Sequence, residues 1–296
     1  MRPLALIAAG LCIAAHAPAQ TPARVEVIDS APLAALRLVE SSGVTTSALV
    51  PGVYWSHNDS GDGPYLYATD STGRDLGAVR VAGAHAVDWE ELAAGPCVVA
   101  PGRCLYAADI GDNRRHRAHV VIYRFREPPP PTGPADTLGS VPLLDSLVLA
   151  YPDRPHDAEA LVVTPDGAIL LVTKDLFGPA RLFRTSASGG SERRTLAEVG
   201  VLEVETGAVT GRLATGAALS PNGTLLVVRT YVSLHFFRMR GDSLPSPLNP
   251  RRGITIPVIE PQGEGVCFDG PDRLVLTSEQ GNASRGMIVR LRILTR

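Results

Sequence analysis

The sequence predicts an all-β fold of four-stranded antiparallel sheets arranged around a central channel, and two observations carry that expectation. First, a pattern of apolar strand, Gly/Pro/Asp/Asn turn and second apolar strand recurs about every 45–70 residues, at 46–63, 88–113, 157–175, 215–231 and 263–282. Second, a third apolar strand follows several of these hairpins, at residues 120–125, 181–185, 234–239 and 287–294. Antiparallel sheets repeated at this spacing are the mark of a β-propeller. Five repeats are visible, so five or six blades are expected.

The N-terminus reads as a targeting segment. Arg2 supplies a positive start, residues 3–15 are apolar, and Ala17-Pro18-Ala19 offers small residues around a cleavage site after Ala19. Residues 1–19 are therefore expected to be a signal peptide, with residues 20–296 forming one propeller domain. Leu11 precedes Cys12 where a lipid-anchored protein would carry a small residue, so no lipid anchor is expected. No later run reaches the roughly 18 apolar residues of a spanning helix. A strand around residues 25–28 or 35–39 is expected to complete the last blade and close the ring, because closure removes free sheet edges.

Within the repeats, Pro165-Asp166-Gly167, Pro221-Asn222-Gly223 and Pro271-Asp272 mark hairpin turns, since Gly and Asn tolerate the positive φ of tight turns. Cys97 and Cys104 flank one such turn and are expected to pair as a disulfide in an oxidising compartment. Cys267 lies in an apolar strand and reads as a buried small hydrophobe. The proline-rich stretch 127–136 reads as a stiff connection at the periphery.

Composition narrows the function. Hydrophobic residues make up 45 % of the chain, enough for a sizeable core, and the formal net charge is −2. That balance argues against nucleic acid or an anionic membrane as the main partner. A secreted or periplasmic monomer acting on a small anionic or ester substrate is the expectation.

The repeat geometry selects candidate residues. In each hairpin the start of the first strand and the end of the second lie at the same edge, facing one mouth of the channel. Strand starts supply Asp88, Glu90, Glu91, Asp157, Glu159 and Glu264. Strand ends supply His57, Asn58, Asp59, Asp62, Asp109, Asp112, Asn113, Lys174, Asp175, Arg229, Tyr231 and Glu279. The hairpin turns at the other edge carry only scattered Asp, so turn chemistry alone does not explain so acidic a mouth. Carboxylates crowded around one axis repel unless a cation or hydrogen-bond donors offset them. An oxygen-rich, thiol-free set suits Ca²⁺ or Mg²⁺. Asp59, Asp88, Glu90, Asp109, Asp157, Glu264 and Glu279 are the candidate metal ligands, with Ca²⁺ the expected ion. Lys174, Glu159 and Arg229 are the candidate catalytic residues. Lys174 is the only lysine among 28 Lys and Arg residues, which singles it out where Arg otherwise supplies every positive charge.

Several motifs are set aside. The loop Asn58–Gly63 opens like a calcium-binding EF-hand, but Thr69 stands where its bidentate Glu belongs. Gly241-Asp242-Ser243-Leu244 matches a short hydrolase string but follows a third strand, with no histidine after His235. Arg114-Arg115-His116-Arg117 reads as a solvated loop, with two further roles open beside the acidic mouth: balancing its charge or meeting an anionic substrate.

The strings Trp55–Asp62, Asp88–Glu91, Ala108–Asn113, Asp157–Ala160 and Gln262–Gly265 together resemble a family of exported bacterial propellers. That family is similar, more distantly, to the β-propeller phytases and the esterase-like phytase group. The resemblance spans most of the mature chain, without a full match to the phytase motifs. It implies Ca²⁺ held by carboxylates at the channel mouth and a phosphate gripped by Lys and Arg, for which Lys174 and Arg229 are the matching positions. It also implies six blades. Two readings follow: a Ca²⁺-dependent hydrolase of phosphoester, ester or lactone substrates, or a non-catalytic propeller binding a ligand or partner in the cell envelope.

Overall fold

The computed structural model describes residues 22–134, 139–189, 192–202, 209–239, 254–258, 260 and 262–295. The expected signal peptide and the Gly241–Leu244 string lie outside them. An N-terminal strand, β1 (Pro22–Pro32), precedes the first blade. Blade I comprises β2 (Ser41–Thr46), β3 (Val53–Asn58), β4 (Tyr65–Asp70) and β5 (Asp75–Ala82). Blade II comprises β6 (Trp89–Pro96), β7 (Arg103–Asp109), β8 (Val120–Phe125) and β9 (Gly139–Ala150). Blade III comprises β10 (Ala158–Val163), β11 (Ala168–Thr173), β12 (Ala180–Ser186) and, after a two-residue β13 (Arg194–Thr195) that pairs in parallel with β9 of blade II, the outer strand β14 (Ala197–Leu202). Blade IV comprises β15 (Ala214–Leu219), β16 (Leu225–Thr230), β17 (Ser233–Arg238) and β18 (Ile254–Pro257). Blade V comprises β19 (Gly263–Phe268), β20 (Arg273–Ser278) and β21 (Met287–Thr295).

The fold is a β-propeller. Among the described residues it has five blades, the number of repeats visible in the sequence, and not the six implied by the resemblance. The inner strands β2, β6, β10, β15 and β19 each neighbour the next, and β19 returns to β2, which closes a ring. β1 pairs antiparallel with β21, Val25 opposite Ile293 and Val27 opposite Leu291. Strand β1 thus supplies the fourth strand of blade V, joining the two ends of the described chain. The outer strands of blades I and II also pair, parallel, with Val79 opposite Gly139.

Five apolar clusters fill the spaces between consecutive blades. The cluster between blades I and II holds Trp55, Trp89, Leu92 and Phe125, and that between II and III holds Tyr106, Ile122, Leu161 and Phe183. The other three lie between blades III and IV, IV and V, and V and I. Each sheet is therefore buried on both faces, which explains why β3, β10, β11 and β19 are buried throughout and show no polar alternation.

Each inner hairpin turns on a glycine at positive φ: Gly52, Gly102, Gly167, Gly223 and Gly270. An L side chain is disfavoured in that region. Cys97 and Cys104 form the disulfide expected across the blade II turn, and Cys267 is a buried free thiol.

Candidate metal centre at the channel mouth

At the end of the channel opposite these turns, the pairing of first and second strands slips in every blade. The shifts fall between Ser41 and Val44, Trp89 and Glu91, Ala158 and Ala160, Ala214 and Gly216, and Gly263 and Val266. Each is a bulge that sets one extra residue into the inner strand, and a bulge re-aims side chains. The equivalent positions after the strand start are Ser42, Glu90, Glu159, Thr215 and Glu264, and all five are buried. The position two residues earlier in each blade holds Glu40, Asp88, Asp157, Leu213 and Gln262. The position just past the second strand holds Asp59, Ile110, Lys174, Tyr231 and Glu279. Backbone hydrogen bonds couple these last two sets: Asp59 N–H donates to Glu40 O, Lys174 N–H to Asp157 O and Glu279 N–H to Gln262 O, each at 3.0 Å. One backbone device, repeated five times, thus gathers the mouth.

The next position in the inner strands explains the channel floor. Four blades carry small residues there, Gly43, Ala160, Gly216 and Gly265, and blade II carries Glu91. A Cβ on Gly43 would lie 2.3 Å from Leu92 N, so the axis is too narrow for five side chains. Glu91 fills it alone. Its carboxylate accepts Leu92 N–H at 3.0 Å and, across the axis, Ala217 N–H of blade IV at 3.2 Å. Val44 N–H of blade I also hydrogen-bonds it. Burial pushes the Glu91 carboxyl well above the usual range, against the pull of these donors.

Above this floor, single carboxylate oxygens of Asp59, Asp88 and Glu90 lie within 4.8 Å of one another, and so do those of Glu90, Asp157 and Glu159. Glu90 belongs to both trios. Lys174 Nζ donates to Glu159 at 2.9 Å and stands 5.3 Å from the centre of the Tyr231 ring. Burial, then the Asp59 carboxylate, pushes Asp88 up to about 7. Burial, then Asp59 and Glu40, pushes Glu279 up to about 7 as well. Glu159 is carried to about 7 by burial, with Lys174 opposing. Glu90 and Glu264 are driven well above the carboxylate range by burial, then by Glu159. Asp157 is raised by burial against the Asp112 N–H and Lys174. Burial disfavours the Lys174 ammonium, but Glu159 and Tyr231 outweigh it and its pKa lies above the ordinary lysine value.

The donor set fits a hard divalent cation: it is all oxygen, half-buried and short of positive charge. Glu264 adds to this, since its buried Oε2 has no hydrogen-bond partner among the described residues, while Gln262 Nε2 donates to Oε1 at 3.4 Å.

Other sequence candidates are placed differently. Asp109 sits at the end of β7, where its carboxylate accepts Asp88 N–H at 3.1 Å and pairs with Arg117 at 2.8 Å. It braces the entry to β6. Asn58 does the same for β2, accepting Val39 and Glu40 N–H at 3.0 Å each, while Asp62 receives Asn58 Nδ2 and Tyr67 OH at 2.7 Å. The Asn58–Gly63 loop is thus a structural knot. His57 donates from Nδ1 to Asn58 O at 2.8 Å and meets Trp89 edge-on. Asp112 donates its N–H to Asp157 at 2.8 Å. Asp175 pairs with Arg115 at 3.2 Å, so the basic loop does balance charge. Arg229 is not gathered into the mouth. Its guanidinium is fully buried, donates to Gly265 O at 2.6 Å and Thr277 O at 2.9 Å, and pairs with Glu260. It ties blade IV to blade V. Glu40, Ser42, Thr215 and Gln262 also stand at the mouth positions and carry no sequence signal of their own, because the bulge that aligns the five strand starts exists only in the pairing of two strands.

No family model matches the chain, and no curated protein matches it in sequence. Among solved structures, it is similar to the PQQ-bound aldose sugar dehydrogenase from Streptomyces coelicolor, at 12 % identity and a TM-score of 0.53, covering 93 % of this chain and 100 % of that one. It is also similar to regucalcin, a calcium-binding protein from Agrobacterium tumefaciens str. C58, at 13 % identity and a TM-score of 0.50, covering 90 % and 95 %. At such identities the likeness is one of fold. The phytase-like resemblance is therefore supported as far as the propeller architecture.

Proposed function

We propose that this is an exported propeller whose channel mouth binds Ca²⁺ and hydrolyses a small phosphoester, ester or lactone. The observation that carries the reading is the pair of carboxylate trios sharing Glu90, built on bulged strands that hold their side chains at a mouth open to solvent. Asp59, Asp88 and Glu90 would hold the cation. When bound, it would polarise a substrate oxygen and lower the pKa of a coordinated water. Lys174, fixed by Glu159 at 2.9 Å, offers an ammonium to an anionic substrate oxygen. Glu159, with its carboxyl at about 7, is suited to take and return a proton near neutral pH. Arg229 supports the mouth by holding the start of blade V and does not reach substrate. The disulfide is in keeping with an oxidising compartment outside the cytoplasm.

A substrate panel of a phosphomonoester, a carboxylic ester and a lactone, run on EDTA-stripped protein with and without Ca²⁺, tests the reading. Turnover that requires Ca²⁺ and falls at least 100-fold in Asp88→Asn supports it. Ca²⁺ binding without turnover of any class would move the protein to the binding-module reading.

A further inference from the structure

We infer that Lys174 is a tethered cation occupying one of two overlapping cation positions, so that the mouth takes a single divalent ion, at Asp59, Asp88 and Glu90. The inference rests on the reading of the mouth as a Ca²⁺ site and adds how many ions bind and where.

The two trios are unequal. No salt bridge joins Asp59, Asp88 or Glu90 to a basic side chain among the described residues, since the nearby Arg117 is paired with Asp109 at 2.8 Å. In the other trio, Lys174 Nζ already lies 2.9 Å from Glu159. Its charge acts on Glu90, Asp157, Glu264 and Glu279 as well. Lys174 stands at the strand-exit position where blades I and V place the carboxylates Asp59 and Glu279. In blade III that position supplies a positive charge, directed at the bulge carboxylate of its own blade. The Tyr231 ring at 5.3 Å confines the ammonium from the blade IV side, and such a ring face favours a cation. An ammonium so held repels a divalent ion from Glu90–Asp157–Glu159, because two like charges a few ångströms apart in a half-buried site cost far more than in water. The buried Glu264 Oε2, unpartnered among the described residues, belongs to a carboxyl on which both Glu159 and Lys174 act, and it would become a further ligand once the ammonium is removed.

The test is Ca²⁺ stoichiometry on EDTA-stripped full-length protein, by isothermal titration and by metal analysis after equilibrium dialysis. Wild type is expected to bind one Ca²⁺ per chain and Lys174→Met, neutral and similar in length, to bind two. Asp88→Asn should weaken the wild-type ion at least 10-fold, whereas Glu159→Gln should change its affinity less than about threefold. The double variant Asp88→Asn/Lys174→Met should keep one ion. Two ions in the wild type, one in a folded Lys174→Met, or Glu159→Gln weakening the ion as much as Asp88→Asn would each overturn the tethered-cation assignment while leaving a Ca²⁺ site in place. The last comparison needs no Lys174 variant to fold. No Ca²⁺ bound by the wild type would sink the metal reading of the mouth and the inference with it.

Discussion

The two mouths of the channel are built from the same five hairpins and have opposite chemistry. At the turn end the hairpins close on positive-φ glycines, and a cavity of about 590 Å³ is lined by apolar positions such as Val44, Leu92, Leu161 and Phe268 together with Thr45, Thr46, Arg103 and Ser220, without a carboxylate. At the other end each inner strand bulges, and the bulge positions carry Glu90, Glu159 and Glu264 beside Ser42 and Thr215. Between them, the Glu91 side chain crosses the axis. The backbone is nearly fivefold at both ends; what separates them is that a bulge turns side chains toward the axis at one end, whereas a tight turn ends the pairing at the other. Repetition makes the ring, and departures from repetition make the site.

The largest expected effect falls where the two mouths meet. Glu91→Ala would leave the buried N–H groups of Ala217 and Leu92 without their acceptor, for a loss of about 3–5 kcal/mol in denaturant unfolding. Glu91→Gln keeps an acceptor oxygen and should lose less than half of that. Equal losses for both variants would show that the charge, and not the crossing hydrogen bonds, holds the floor.

At the acidic mouth, Ca²⁺ at about 100 times its Kd should stabilise the fold by about 2.7 kcal/mol, because it binds the native state alone. Asp88→Asn should cut the shift at that Ca²⁺ concentration to about 1.4 kcal/mol or less, and a melting temperature indifferent to Ca²⁺ would break the contrast between the mouths. At the turn end, Cys97 and Cys104 close a loop of sequence separation 7, so replacing both with Ser should cost about 2–3 kcal/mol on the chain-entropy view. The Ca²⁺ shift should persist unchanged in that variant, since the bridge lies at the far mouth.

A last contrast is the pH dependence of the metal-free protein. Asp88, Glu159 and Glu279 titrate near 7 in the folded chain and near 4 when unfolded. Between those values the folded state binds more protons, so stability falls as pH rises from about 4 to 7 and levels off above. A lower melting temperature at pH 8 than at pH 5 is therefore expected in EDTA. Saturating Ca²⁺ should flatten it, because the ion replaces the protons. A melting temperature that rises with pH in EDTA would mean that these carboxyls are held ionised.

The sequence by itself determined the repeats and the hairpin turns, and led to the expectation of a closing strand at residues 25–28 or 35–39, because these depend on local apolar patterning and on turn residues with their own backbone preference; strand pairing selects the first. Strand direction also led to the expectation that Asp59, Asp88, Glu90, Asp109, Asp157, Glu159, Glu264 and Glu279 approach one mouth, of which Asp59, Asp88 and Glu90, and Glu90, Asp157 and Glu159, lie close together, and the sequence singled out Lys174 by its rarity. The tertiary structure decided the rest. Arg229 and Lys174 both come from the ends of second strands, yet Arg229 lies within β16 and is drawn between blades by Glu260, whereas Lys174 lies one residue past β11 and is free to turn inward. Asp109 closes its strand and caps β6, whereas Asp59, one residue beyond its own strand, opens onto the mouth. A one-residue offset relative to a bulge decides between these fates, and the bulge is a property of pairing between strands, invisible until both strands are placed.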